Sequence, residues 1–109
     1  MTSDDIIDAL QRQKQQLEEH LPELLSRCQN DAERLALTGA YTRATRQWND
    51  AVNQALRTNN PLLDSLVGDL RTLQDEITGM IERADDFGAL LNKIATGITI
   101  GSKILMLVK

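Results

Sequence analysis

Apolar residues in the second half of the chain recur at alternating steps of three and four: Leu63, Leu66, Leu70, Leu73, Ile77, Met80, Ala84, Phe87, Leu91, Ile94 and Ile98. Gly101 interrupts the series once, and Leu105 and Val108 resume it in phase. A 3.5-residue period keeps one seam of an α-helix against a partner helix. The spacing predicts one helix from about Pro61 to residue 97 or beyond, ~55 Å long at 1.5 Å per residue. Val67 and Ile81 widen its stripe beyond the two seam positions, which favours a bundle of three or more helices over a two-stranded coil.

The first half carries a second seam through Ile7, Leu10, Leu17, Leu21, Leu24, Cys28 and Leu35. Thr2 or Ser3 is placed to cap it, with Asp4 and Asp5 in the first turn, where exposed N–H groups favour anions. Lys14 and Asp31 fall on seam positions, which either sets the register or marks a fray. Pro22 lies inside the pattern without shifting its phase, so a kink or brief break is expected there. Gly39 is a candidate C-terminal cap. Tyr41, Ala44, Trp48 and Val52 continue at helical spacing but offset, as a stutter or a separate short helix. The strongest break is Thr58-Asn59-Asn60-Pro61, asparagine as N-cap and proline at the first helical position.

The fold expected from these patterns is all-α. A single domain, residues 1–109, forms a long antiparallel helical hairpin of two to three helices with a coiled-coil-like seam. Its helical regions are 3–58, with a kink near Pro22 and a break near Gly39, and 61–97 or beyond.

Composition sharpens this. With 109 residues, 41% hydrophobic but only 3% aromatic, a core must come from Leu, Ile and Ala, which suits helix-on-helix packing. Two long helices expose much surface for their mass, so self-association into a helical bundle is expected. Its interface would be Leu63, Leu66, Leu70, Leu73, Ile77, Met80, Phe87, Leu91, Ile94 and Ile98, with Trp48 as an aromatic anchor.

Net charge is −4, which argues against nucleic acid as a partner. The charge is uneven: residues 1–33 hold eight acids and three bases, 34–57 four arginines against Asp50, and 58–86 seven acids against Arg71 and Arg83. These blocks read as solvated helix faces. Arg43 and Arg46, near Arg34 and Arg57, are the alternative, a patch for an anion or a partner.

From Phe87 onward the heptads persist but the acids stop, leaving Lys93, Lys103 and Lys109. The 22 residues from Phe87 to Val108 match a hydrocarbon thickness of ~30 Å. Lys93 and Lys103 inside them would each cost about 2.5–3.5 kcal/mol at a bilayer centre, which argues against a stable span. Gly97-x-x-x-Gly101 matches the close-packing motif of membrane helices. Ile104, Leu105, Met106, Leu107 and Val108 are apolar on every side and need burial in the oligomer, against the hairpin, on a membrane surface or on a protein partner.

Nothing points to catalysis, a metal or a cofactor. His20 is the only histidine and Cys28 the only cysteine, with no zinc-type spacing between them and no phosphate loop. Glu18-Glu19, Asp75-Glu76 and Asp85-Asp86 lack the Glu-x-x-His spacing of di-iron bundles. The function expected is a small non-enzymatic assembly or adaptor protein acting through helix–helix contacts as a homo-oligomer. The alternative is a peripheral membrane protein docking by its basic apolar tail. The acidic start, Met-Thr-Ser-Asp-Asp, is unlike a Sec signal peptide, so the expected location is cytoplasmic, with membrane-peripheral placement or Sec-independent export as alternatives.

Overall fold

Four start-and-stop signals divide the chain into helices, and a computed structural model describes all residues, 1–109. The helices are α1 (Ser3–Arg27), α2 (Asp31–Val52), α3 (Leu62–Glu82) and α4 (Phe87–Val108), and there are no strands. α1 opens on a capping box: the Thr2 hydroxyl accepts from the Asp5 N–H at 3.2 Å, and the Asp5 carboxylate accepts from the Thr2 N–H at 3.0 Å. Hydrogen bonds from Thr2 hold the Asp5 carboxyl below its ordinary range, with Arg71 adding to the effect.

The boundaries differ from the expected ones in three places. The first seam does not run on to Leu35; α1 stops at Arg27, and Asn30 caps α2 by accepting from the Glu33 N–H at 2.8 Å. Glu33 in turn accepts from the Gln29 N–H at 2.7 Å. Leu35 is consequently 72% exposed, and Asp31 sits in the first turn of α2, paired with Arg34 at 2.8 Å. Gly39, the expected break, lies within unbroken α2, and α1 passes through Pro22 without interruption.

The second difference is in the long helix. Ala84 takes a left-handed conformation (φ 53°), and the Asp85 N–H reaches back to the Met80 carbonyl at 3.0 Å. This is a helix-reversing turn of the Schellman type. Asp86 then caps α4, accepting from the Ala89 N–H at 2.9 Å. The change of composition at Phe87 is thus a helix start. A break before α3 is found, but α2 ends at Val52 and not near residue 58, and α3 starts at Leu62 with Pro61 and not Asn60 at its N-cap; the Asn60 side chain accepts from the Leu62 N–H at 2.9 Å.

Each half of the chain therefore folds back on itself. The antiparallel pairs are α1/α2 and α3/α4, and the two hairpins lie together so that α1 flanks α3 and α2 flanks α4, while α2 and α3 sit diagonally and do not touch. Residues 53–61 cross one end of the bundle, and there the Arg57 N–H donates to the Val108 carbonyl at 2.9 Å, capping α4. The whole measures 43 × 23 × 19 Å.

The core has two apolar halves. One, beside the helix turns, is built on Leu17, Leu24, Leu37, Ile77, Met80, Leu90 and Ile94. The other, beside the crossing segment, holds Ile6, Leu10, Leu63, Val67, Leu70, Ile104 and Val108. Burial of each such side chain contributes roughly 1.5–3 kcal/mol.

Candidate interaction surfaces and the buried polar layer

Between the two apolar halves lies a layer that the hydrophobic pattern conceals. Gln13, Gln47 and Gln74 are buried there. The Gln13 amide donates to Gln47 Oε1 at 2.8 Å, and the Gln47 amide donates to the Ile98 carbonyl at 2.8 Å and to the Ser102 hydroxyl at 3.1 Å. This chain of donors runs from α1 through α2 to α4. On the other side, the Gln74 amide donates to the Ala9 carbonyl at 2.9 Å. The Gln16 amide donates to the Gln74 carbonyl at 2.7 Å and to the Thr78 hydroxyl at 2.9 Å. α1 is thereby bonded to α2 and α3, and through α2 to α4.

Gly97 and Gly101 make this layer fit. A Cβ on Gly97 would lie 2.9 Å from Gln13 Oε1, and one on Gly101 would overlap the Gln47 amide. The Gly-x-x-x-Gly spacing therefore seats glutamines inside the bundle and needs no lipid to explain it. The direction of the network leaves Gln13 Oε1 without a donor, facing a cavity of about 10 Å³ lined also by Gln16, Gln74 and Gly97. Sequence reasoning missed these glutamines because each neighbours a seam position and reads as polar surface. Their one signal was the pair of glycines a helical turn apart on the opposing element.

The residues expected at an interface between copies are mostly inside the chain's own core. Leu63, Leu70, Leu73, Ile77, Met80, Ile94 and Ile98 are buried. Leu66, Phe87, Leu91 and Trp48 are half-buried against the same clusters. The Lys14 ammonium lies 5.2 Å from the centre of the Trp48 ring and pairs with Glu18 at 3.3 Å, which explains a lysine at a seam position. The Trp48 indole N–H is buried without an acceptor.

The tail divides. Ile104, Leu105 and Val108 enter the core, Leu107 is half-buried, and Met106 is 77% exposed. Lys93 pairs with Glu76 at 3.1 Å across α3/α4, and Lys103 stays exposed. The lone histidine stays at the surface of α1, its Nδ1 3.4 Å from Glu23 Oε2. Cys28 is buried and donates weakly to the Leu24 carbonyl at 3.5 Å. Burial pushes its thiol up, and the Glu33 charge adds to the effect.

What faces outward is a ridge and four grooves, one of them, of about 220 Å³ between α2 and α4, mostly apolar and lined by Ala36, Ala40, Arg43, Leu91 and Ala95. Met106 forms the ridge between two of them. One, of about 300 Å³, is lined by Leu62, Ser65, Leu66, Lys103 and Leu107, with Leu62 60% exposed. The second, of about 310 Å³ between α2 and α4, is lined by Arg43, Arg46, Asp50, Ser102 and Lys109. On the opposite face, a groove of about 290 Å³ between α1 and α3 carries Glu19, His20 and Asp75, together with Arg12 (paired with Asp8 at 3.6 Å), and no apolar side chain. No protein-family model, curated protein or solved structure matches the chain. Function must therefore be read from these surfaces.

Proposed function

We propose that this chain is a small non-enzymatic assembly or adaptor protein that works through helix–helix contacts, as a homo-oligomer in a reducing cytoplasmic setting. The observation that carries the reading is the exposed end of α4: Met106 and Leu62 stand 77% and 60% exposed at a groove of about 300 Å³ in a bundle that already buries its own core. Large apolar side chains clustered at one end of a folded surface favour an occupant. A seam left bare by two long helices is not the reason for self-association, because the chain covers that seam itself. The finer picture, copies meeting as coiled-coil-like helical pairs, rests on these grooves instead.

One observation favours a second reading, a membrane-surface protein. α4 is 22 residues long, has no acid and is apolar enough to cross a membrane by length and composition. Against it, Leu90, Ile94, Ile98, Ile104, Leu105 and Val108 of α4 are buried in the bundle's own core.

Light scattering with and without anionic liposomes separates the two. The expected result at tens of micromolar is a mass well above the 12.2 kDa of one chain, unchanged by vesicles. A 12.2 kDa particle that floats with vesicles would replace the assembly reading with the membrane one.

A further inference from the structure

Charge is distributed by face as well as by sequence block. α1 and α3, which lie side by side, carry eleven carboxylates against four cations, a surplus of seven negative charges. α2 and α4, side by side on the opposite face, carry three carboxylates against five cations, a surplus of two positive charges. The surplus is concentrated in unpaired side chains. Arg12, Arg34, Arg71 and Arg83 all have carboxylate partners within 4.0 Å. Arg43 and Arg46, lining the α2/α4 groove, are exposed and have none; Glu19 and Asp75, lining the α1/α3 groove, likewise have none.

The two unpaired sets also stand at matching heights. Gln13 bonds Gln47, and the Tyr41 hydroxyl donates to Glu18 at 3.2 Å, so the stretch of α2 holding Arg43 and Arg46 lies level with residues 13–18 of α1. Gln16 bonds the Gln74 carbonyl and Thr78, which places Asp75 at the same level. A sideways displacement of one copy, with little shift along the bundle axis, brings Arg43 and Arg46 of one molecule onto the groove of the next, where Arg12 is already paired with Asp8 and Glu19 and Asp75 are left unpaired. The contacting helices then run antiparallel.

We infer that copies of this chain associate head to tail, the α2/α4 groove with Arg43 and Arg46 receiving Glu19 and Asp75 from the α1/α3 groove of a second copy. This rests on the self-association proposed above and specifies its geometry. The contact is heterologous, because each copy offers two different faces. Such contacts close into rings or extend as open chains and do not stop at a two-fold dimer. Charge complementarity sets the register of the joint and makes it sensitive to salt.

The test is a charge swap at exposed positions, with circular dichroism confirming that each variant keeps its helicity. R43E/R46E and E19K/D75K should each weaken self-association at least tenfold when alone. Mixed in equal amounts, they should recover it in part, because the acidic face made by R43E/R46E on one variant meets the basic face made by E19K/D75K on the other. For the wild type, raising salt from 0.1 M to 1 M cuts the screening length from about 10 Å to about 3 Å and should weaken the assembly likewise. Variants that still associate as tightly as wild type, or a mixture that stays monomeric, would overturn this geometry while leaving self-association through the Met106 ridge intact. A wild type that is monomeric at tens of micromolar overturns both.

Discussion

Three small residues are read oppositely by sequence position and by environment, and their substitution has predictable signs. Ala84 holds a left-handed conformation (φ 53°) that penalises an L-residue by about 1–2 kcal/mol. Glycine relieves that strain but loses more backbone entropy on folding, about 0.5–1 kcal/mol, so Ala84→Gly should stabilise by roughly 0.5–1 kcal/mol in urea unfolding. Gly39 lies mid-helix with nothing within 4 Å of where a methyl would sit, so Gly39→Ala should also stabilise, by about 0.5–1 kcal/mol. Gly101→Ala, the same chemical change, drives a methyl into the Gln47 amide and should destabilise by about 1–3 kcal/mol. Equal effects at Gly39 and Gly101 would contradict the packing described. Asp5 adds a pH signature. Its folded pKa lies below the ordinary 3.8, so its contribution is fully present above that value and is lost as pH falls through the lower folded value. Acid titration should fray the first turn of α1 in that window, and Asp5→Asn should remove this step.

At the scale of elements, the central glutamines bear on why the four helices meet in one register. Removing one partner of a buried hydrogen bond strands the other, whereas removing both can be nearly neutral. Gln47→Leu alone strands the Gln13 amide and should destabilise by about 1–3 kcal/mol. Gln13→Leu with Gln47→Leu should be less destabilising than the sum of the singles, with a coupling of about 1 kcal/mol or more in a double-mutant cycle. Strict additivity would show that the two amides do not act together. The same layer marks the limit of what the chain pattern discloses. Helix class and most buried positions follow from the 3.5-residue period, because that period records which side of a helix is dry; the helix starts near Thr2 and Pro61 follow from capping and proline signals. It does not record which helix dries it. Cys28 to Leu35 and Ala84 to Phe87 keep phase across real turns, so periodicity alone joins helices that Asn30 and Asp86 begin anew. Asn30-x-x-Glu33 has the residue types and spacing of a helix start, and the seam reading passes over it. The paired grooves were not legible at all, since Glu19 and Asp75 come together only when α1 lies beside α3.

For the whole molecule, both ends of the chain and the crossing segment meet at one end of the bundle. The Met1 amino group lies 3.8 Å from Asp64, Lys109 reaches Asp50 at 4.0 Å, and Arg57 bonds Val108. The last twelve residues are therefore structural before they are anything else. Removing 98–109 takes away the buried side chains of Ile98, Ile104, Leu105 and Val108, the carbonyl that Gln47 bonds, and the acceptor for the Arg57 N–H. Four side chains at roughly 1.5–3 kcal/mol each amount to a loss comparable with the entire stability of a typical domain, about 5–15 kcal/mol. The truncated chain should lose its cooperative thermal transition, and any accompanying loss of vesicle binding or assembly would follow from unfolding. Surface changes ask the question without that confusion. Leu62→Glu with Met106→Glu alters side chains that are 60% and 77% exposed, so stability should stay within about 1 kcal/mol of wild type. If the ridge around Met106 docks on lipid, this pair of charges should abolish flotation with anionic vesicles. Under the assembly reading the wild type does not float, and the double variant changes only its mass in solution. A cooperative unfolding transition retained by the 1–97 fragment would show that the tail is an appendage, and would reopen the membrane reading on equal terms.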